Sequence, residues 1–439
     1  MSAIMRSIAV AVIAYSVLLG LSWFSLGNDP RQARTAVATA YSSGDLTEYD
    51  ITMMDARIGA HQFNDCLILD QAISRSGTRA QMTVTPPNDL AIRTTGVCRE
   101  LKDSVLNGKH GQMNFYQNYI HGHTVLARLL LGVLPVKAIR MLYQLVIYGL
   151  LVAGLVFAMR EALSRGATVN VLFWLCLFAS FARFYGVEYF GQSLGHAPAD
   201  AVLLGYALWL QAVSYSEQSR PAEFVTAAAV FGALTAIFEF WTGGLPLGIA
   251  LTIAGVTMAE RRDDRLRSSV VQACVSFVAA AAAIAAIKIV LTQMLFGDGA
   301  VTSAGSQFFA RVAGSAQFNG FPPPTVDNII SRVSQGLGGM AGGQPVLVVM
   351  ILSLAIVFGA AGYTHLRRTE LRSRAALIAA SNLVLVLWVA ALNHHFYIHA
   401  WFMTRIFAWT IATGFALFAM AVATRQSLAP ANALPVAAE

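Results

Sequence analysis

Long apolar runs, separated by short polar connections, recur along almost the whole chain. They occupy residues 7–27, 137–160, 169–185, 200–216, 223–241, 243–259, 270–295, 343–364, 376–393 and 403–424. A helix needs about 20 apolar residues to cross a bilayer, and most of these runs approach that length. They are continuous and rich in Ala, Leu and Val, whereas a membrane β-barrel shows short alternating segments. The pattern predicts an all-α polytopic membrane protein with about ten transmembrane helices.

Two polar stretches interrupt this pattern and divide the chain into units. Residues 28–123 carry ten of the 23 acidic residues, which predicts a folded loop with short surface helices. Residues 296–342 are rich in Gly and contain three consecutive Pro residues, which predicts a lid loop. The predicted units are a first transmembrane helix at 1–27, an extracytoplasmic loop at 28–136, helices 2–7 at 137–295, a lid loop at 296–342, helices 8–10 at 343–424 and a cytoplasmic tail at 425–439.

The charge pattern sets an orientation and argues against nucleic acid as a partner. The net charge is +7, but much of the Arg surplus lies in the short connections 260–267 and 365–374. Cytoplasmic connections of membrane proteins carry such an excess. With the N-terminus inside, both connections are cytoplasmic, and 28–136 and 296–342 face outward. We therefore expect membrane lipid among the partners and no nucleic acid.

The four cysteines fall into two groups. Cys176 and Cys274 lie in apolar runs and are expected to be ordinary core residues. Cys66 and Cys98 share the polar loop at 28–136. Disulfides form in oxidising compartments outside the cytoplasm, so an extracytoplasmic loop would allow a Cys66–Cys98 bond.

Asp65 is the leading candidate for catalysis. It lies in the segment 61–70, beside Phe63, Cys66 and Leu67. A carboxylate next to apolar surface has a shifted pKa, which suits a general base. The alternative is a carboxylate that is simply solvated in a polar loop.

Several cations lie on or near the predicted outer side, against the positive-inside trend. Lys288 interrupts an apolar run, and Arg128 and Arg405 lie at outer helix ends. Ionisable residues at membrane depth usually mark a substrate path, although a long Lys side chain can also extend to the interface. Outer cations suit a lipid phosphate, because Arg contacts phosphate in a bidentate manner.

The segment 393–405 contains His395 and His399, which would share one face of a helix. That spacing is compatible with a metal site, but no HExxH motif accompanies it. The alternative is that these imidazoles hydrogen-bond a polar head group. The segment places them close to Arg405 in the sequence.

Aromatic and polar residues also mix at the end of the first loop and at outer helix ends. His121 and His123 follow a run of Tyr and Asn residues, which is typical of a sugar-binding surface and equally of an interfacial aromatic belt. Glu239 is surrounded by aromatic residues, which predicts a raised pKa or a buried structural carboxylate. His196 and Asp200 lie at comparable positions.

The arrangement resembles the GT-C superfamily of membrane glycosyltransferases, which includes the protein O-mannosyltransferases and the lipid A aminoarabinose and mycobacterial arabinosyl transferases. The resemblance is architectural: a first helix, a large acidic first outer loop, further helices and a later loop. Segments 62–69, 119–128 and 393–405 are also similar to motifs of uncharacterised bacterial membrane proteins of the same plan.

The resemblance implies an inverting glycosyltransferase of the bacterial inner membrane, with its active site facing the periplasm. A sugar would move from a polyprenyl-phosphate-type donor to an envelope glycan or lipid acceptor. Asp65 would act as base, while Arg405, Lys288 and Arg128 would stabilise the departing phosphate. The chain lacks the acidic pair that the better-known members carry directly after the first helix. Other first-loop carboxylates, namely Asp50, Asp55 and Asp70, therefore remain rivals for the base.

A second function class also fits these features. A transporter or flippase for a lipid-linked or anionic substrate would explain the cations equally well, but not the large loop rich in carboxylates. The sequence contains no internal repeat of the kind that many transporters show. Substrate-binding residues are predicted to be His121, His123, Arg128, Glu239, Lys288, His395, His399 and Arg405. No cofactor is expected with certainty, and a divalent metal stays open.

Overall fold

The computed structural model describes most of the chain. The described residues are 2–50, 62–90, 96–109, 111, 113–117, 119–216, 221–238, 243–297, 299, 302, 305–306, 325–340 and 344–428. The predictions for Asp55 and Glu239, and those for much of the 296–342 loop and the 425–439 tail, lie outside these residues.

Helices make up nearly all of the described structure. The first half contains α1 (Ala3–Ser25), α2 (Pro30–Ser42), α3 (Gln62–Ile73), α4 (Arg79–Val84), α5 (Val97–Asn107), α6 (Gly122–Leu131), α7 (Val136–Arg165), α8 (Val169–Phe184), α9 (Val187–Phe190) and α10 (Ala197–Tyr215). The second half contains α11 (Pro221–Phe238), α12 (Gly244–Ala259), α13 (Asp263–Phe296), α14 (Val326–Met340), α15 (Pro345–Leu366), α16 (Arg372–Ala391), α17 (Asn393–Ile398), α18 (Ala400–Met403), a 3₁₀ helix (Thr404–Phe407) and α19 (Ala408–Leu428). Two short strands, β1 (Pro87–Asn88) and β2 (Asn114–Phe115), pair antiparallel.

Each of the ten predicted apolar runs coincides with a helix. Within the described residues, seven helices are long and apolar enough to cross a membrane: α1, α7, α11, α13, α15, α16 and the last one, Thr404–Gln426. Helices α8 and α12 have 16 residues each, which is short for a span. The chain is therefore a polytopic α-helical membrane protein.

The apolar helices pack through small residues that let backbones approach closely. Helix α1 lies against α11 and α13, α8 lies between α7 and α19, and α19 packs along α15. At this last contact a Cβ atom added to Gly359 would lie 2.9 Å from Gly414 Cα. In a lipid environment, packing of this kind holds helices together because burial from water contributes little.

The described residues between α1 and α7 form a small unit, which we call the polar domain. Helix α3 packs against α5 and α6, and α4 rests on α1 and α13. The Cys66–Cys98 disulfide that the sequence predicts is present, and it links α3 to α5 with a Cα–Cα distance of 5.2 Å. Asp50 caps α5, because its carboxylate accepts hydrogen bonds from Val97 N at 3.2 Å and Cys98 N at 2.8 Å. The polar domain is therefore held by a covalent link and by a carboxylate from outside the helix.

We predict that removing the disulfide with Cys66→Ser and Cys98→Ser destabilises the polar domain. In the chain-entropy account, a closed loop of 32 residues stabilises by about 3 kcal/mol. Thermal unfolding of the purified protein, followed by intrinsic fluorescence, should show a lower midpoint in the double variant. Cys176→Ser with Cys274→Ser is the matched control and should leave the midpoint in place. Free thiols at both positions 66 and 98 in non-reduced protein, detected by mass spectrometry, would contradict the assignment.

Candidate functional site

Asp65 is buried where the polar domain meets the membrane helices. It is in the first turn of α3 and is 1 % exposed. Its Oδ2 accepts a hydrogen bond from Arg140 Nη2 at 2.7 Å. Its Oδ1 accepts from Ser193 Oγ and from Leu194 N, each at 2.8 Å. Both carboxylate oxygens are thus occupied by donors from α7 and from the 191–196 segment that precedes α10.

These contacts make Asp65 an anchor between the polar domain and the membrane helices. A general base needs a lone pair that faces the reacting proton. Here three donors from two other parts of the chain hold the Asp65 carboxylate, and the pair with Arg140 joins the polar domain to α7. The catalytic role of Asp65 stays a prediction, and the geometry favours a positioning role for it.

Docking of α3 brings Asn64 to His196. Asn64 Nδ2 lies 3.4 Å from His196 Nε2. Gly195 makes this approach feasible, since a Cβ atom there would lie 3.2 Å from Ile68 Cδ1 and 3.3 Å from Asn64 Cβ. The start of α3 therefore contacts the start of α10 through the His196 imidazole.

A second buried ion pair lies in the same region. Arg405 Nη1 donates to Asp200 Oδ2 at 2.8 Å, and both side chains are almost fully buried. The guanidinium stacks over two rings, with its Cζ 4.6 Å from the Tyr185 ring centre and 5.2 Å from that of Phe190. Asp200 Oδ1 has no hydrogen-bond partner among the described residues. The Tyr185 hydroxyl is a further hydrogen-bond donor to this carboxylate, so Arg405 and Tyr185 hold Asp200 together.

Imidazoles and Phe402 complete this group. The His196 ring centre lies 5.0 Å from that of Phe402, which lies 5.2 Å from that of His399. The rings of His395 and His399 are 4.6 Å apart, although His399 lies at the break between α17 and α18 rather than inside one helix. We call Asn64, His196, Asp200, His395, His399 and Arg405 the Arg405 site.

The other predicted binding residues form a separate group behind the polar domain. Lys288 Nζ donates to Val84 O at 2.6 Å, and Arg128 Nη2 donates to Gln71 O at 3.0 Å. His121 Nε2 lies 2.6 Å from Tyr116 O. His123 interacts electrostatically with His121 and with His196, so it lies between the two groups. The predicted cations therefore divide between two environments.

Burial sets the charge of two of these imidazoles. It lowers the pKa of His121 well below its ordinary value, and the positive charge of Lys288 adds to this effect. Burial also lowers the pKa of His123 to about 4. Both rings are therefore neutral at pH 7 and act as hydrogen-bonding groups.

A metal site built from three or more side chains is not found in the part of the chain that the structure describes. His395 and His399 supply two imidazoles, and Asp200, the carboxylate that contacts this segment, is paired with the Arg405 guanidinium. The expectation of a divalent metal thus stays open as a prediction.

Among the rival carboxylates, Asp70 has an unusual environment. It is buried in the polar domain, where it accepts hydrogen bonds from Asp89 N at 2.9 Å and Ser74 Oγ at 3.4 Å. Burial raises its pKa to about 7, and the bond from Asp89 N opposes that rise only in part. Asp50 has the capping role described above. Neither carboxylate belongs to the Arg405 site.

Sequence reasoning missed the 191–196 segment as a docking surface. Ser193 and Leu194 hold Asp65, and neither has a chemical signature of its own. The available signal was the short polar run Gly191–His196 between two apolar runs. Its meaning depended on knowing which first-loop helix lies against it.

Comparison with protein-family models, with curated proteins and with solved structures found no match. The assignment of a site therefore depends on the geometry described above.

We predict that Asp65→Ala destabilises the protein strongly, because it leaves the Arg140 guanidinium buried without a counter-charge. Breaking a buried pair typically costs about 3–5 kcal/mol. The double change Asp65→Leu with Arg140→Met removes both charges and should recover most of the loss. The midpoint of thermal unfolding in detergent is the measurement. As a control, Asp103→Ala affects an exposed pair with Lys109 and should change little. A double variant as unstable as the single one would show that the charges themselves are not what matters.

We also predict that Asp70 makes a contribution to stability that is lost as pH rises from about 4 to about 7, opposite in sign to that of the buried imidazoles. Over this range the unfolded chain loses the Asp70 proton, whereas the folded protein keeps it until pH passes the raised pKa of about 7. Asp70→Asn, which stays neutral, removes this contribution, so the unfolding midpoint of the variant relative to that of the native protein should rise between pH 4 and pH 7. An unchanged slope in that variant would assign the dependence to other groups.

Proposed function

We propose that this protein is a membrane glycosyltransferase that moves a sugar from a polyprenyl-phosphate-type lipid donor to an envelope glycan or lipid acceptor. The observation that carries the proposal is the convergence of three distant segments at the Arg405 site. The start of α3, the residues around α9 and α10, and the 393–405 segment meet there around a buried guanidinium. Buried ionisable groups at the ends of membrane helices usually mark a site of function.

Arg405 would hold the donor phosphate. Its guanidinium pairs with Asp200 through Nη1, and Arg binds phosphate through charge-assisted hydrogen bonds. A phosphate that binds beside Asp200 would gain a charge-assisted contact that strengthens as the phosphate departs. His395 and His399 lie beside Phe402 in the same group and would supply further hydrogen bonds to the head group. Aromatic rings such as Tyr185 and Phe190 suit the apolar face of a sugar.

Asp200 is the carboxylate that we propose as base, in place of Asp65. Its Oδ1 has no partner among the described residues, whereas both oxygens of Asp65 are occupied. The acceptor hydroxyl would give its proton to Asp200 while its oxygen bonds to the anomeric carbon. The bond from that carbon to the phosphate oxygen breaks, and the electron pair stays on the phosphate beside Arg405. Inversion at the anomeric carbon follows from this single displacement.

The finer topology belongs to the same proposal. Ten spans, an N-terminus in the cytoplasm and a polar domain in the periplasm of a bacterial inner membrane would place the Arg405 site at the periplasmic side. The Arg-rich connections support this orientation. The disulfide supports it as well, because such bonds persist in oxidising compartments.

A transporter or flippase of an anionic or lipid-linked substrate is the second candidate. It is favoured by Lys288 and Arg128, which are buried and bond to backbone carbonyls, with no carboxylate contact among the described residues. Such cations can mark a path for an anion. For this candidate no carboxylate needs to accept a proton, and no sugar is released.

We predict that Asp200→Asn lowers sugar transfer by about 10²–10⁴-fold while donor binding persists, as expected for loss of a general base. Arg405→Gln should weaken donor binding and turnover together. The assay incubates purified protein with a panel of polyprenyl-phosphate sugars and follows release of the lipid phosphate. Asp103→Asn, a change at an exposed position of the polar domain, is the control and should retain full activity.

Asp65→Asn separates the two carboxylates. As an anchor, Asp65 should lose activity only in step with thermal stability. A stable Asp65→Asn protein with a large loss of turnover, together with an active Asp200→Asn protein, would return the role of base to Asp65. Movement of the substrate across vesicles without sugar release would favour the transporter.

A further inference from the structure

Helix α14 has an apolar stripe that runs along its whole length. Val326, Ile329, Ile330, Val333, Leu337 and Met340 recur at helical spacing on one face. The intervening residues are mostly polar or Gly, so the helix is strongly amphipathic. The stripe predicts that this face is covered by apolar material from end to end.

Protein covers only the C-terminal end of this stripe among the described residues. Leu337 and Met340 are buried, whereas Val326 is 72 % exposed and Ile330 is 61 % exposed. Residues 400–407 cover the C-terminal end of the stripe. Gly336 lies so close to Ala400 O and Thr404 that a Cβ atom at position 336 would not fit. The N-terminal end of the stripe therefore extends beyond the protein surface that covers the other end.

The helix that carries the stripe packs beside a span whose surface faces lipid. Helix α14 packs against α15, a membrane span that begins five residues after α14 ends. The first turns of α15 expose Val346 at 71 % and Met350 at 57 %. Such residues at the start of a span contact hydrocarbon chains. Helix α14, with its exposed apolar residues, thus packs directly against a span whose first turns also expose apolar side chains.

We infer that α14 is an interfacial helix that lies in the membrane plane, with Val326, Ile329 and Ile330 inserted among the hydrocarbon chains of one leaflet. Its polar face, which includes Ser331 and Gln335, would face the aqueous side. Amphipathic helices bind membranes in this way, with the apolar face about 5–10 Å into the boundary of head groups and acyl chains. The partner is a lipid surface.

The position of α14 connects this surface to the Arg405 site. Arg332 Nη1 donates to Ile398 O at 3.0 Å, and its guanidinium lies over the Tyr397 ring. At the C-terminal end, a Cβ atom on Gly186 would lie 3.0 Å from Gly339 O, directly beside Tyr185. Helix α14 thus contacts both sides of the site, and its insertion would hold the site at the lipid boundary. This consequence rests on the proposed function, whereas the insertion itself does not.

The test places a fluorophore on each face of α14 in the full-length protein. Cys176→Ser and Cys274→Ser remove the free thiols, and Ile330→Cys or Gln335→Cys then supplies one labelling position. The protein is reconstituted in phosphatidylethanolamine and phosphatidylglycerol bilayers that contain a nitroxide-bearing lipid. We expect the probe at position 330 to shift to the blue and to lose most of its emission to the lipid nitroxide. The probe at position 335, on the opposite face, should instead respond to iodide in the water.

Other outcomes would overturn the inference. Quenching of the 330 probe by neither agent would mean that another part of the protein covers the stripe. Equal iodide quenching at both positions would mean that α14 lies in water. A third outcome concerns only the link to the proposed function. If α14 inserts but Ile330→Asn leaves transfer from a long-chain donor unchanged in an active protein, the membrane contact is separate from that function.

Discussion

The contact between Asp65 and Arg140 is the interaction on which the rest of this structure depends. It is the only ion pair, among the described residues, that joins α3 of the polar domain to a membrane helix, and it also recruits Ser193 and Leu194. Taking both charges out of water is costly, and the net gain in free energy over an apolar contact can be small. What such a pair supplies is a unique register: α3 can dock on the 191–196 segment in one way only. The position of Asn64 against His196 follows from that register.

The sequence predicted the helices well and the site only in outline. An apolar run specifies a helix locally, because its length and composition suffice, and each predicted run became one. The cysteine pair was also predictable, since the two other cysteines lie in apolar runs. The partner of Asp65 was not, because Arg140 lies 75 positions later and nothing local relates them. The same limit applies to Asp200 and Arg405, which are 205 positions apart.

The sequence grouped the predicted cations together, whereas the structure places them in two different environments. Arg405 has a carboxylate partner and aromatic rings, which makes it a preorganised contact for an anion. Lys288 bonds to Val84 O and Thr85 Oγ1 and so ties α13 to the polar domain. Sequence position alone placed both at the outer ends of helices. Burial and hydrogen-bond partners thus separate a cation paired with a carboxylate from a cation that joins two parts of the chain.

The long sequence separation within the Asp200–Arg405 pair has a consequence for biosynthesis. Asp200 enters the membrane with the middle of the chain, whereas Arg405 is made only with the last helix. Until that helix inserts, a carboxylate lies at a buried position without its counter-charge, so the nascent protein cannot reach its final packing. The pair therefore assembles late in synthesis, because its second member is made 205 residues after its first.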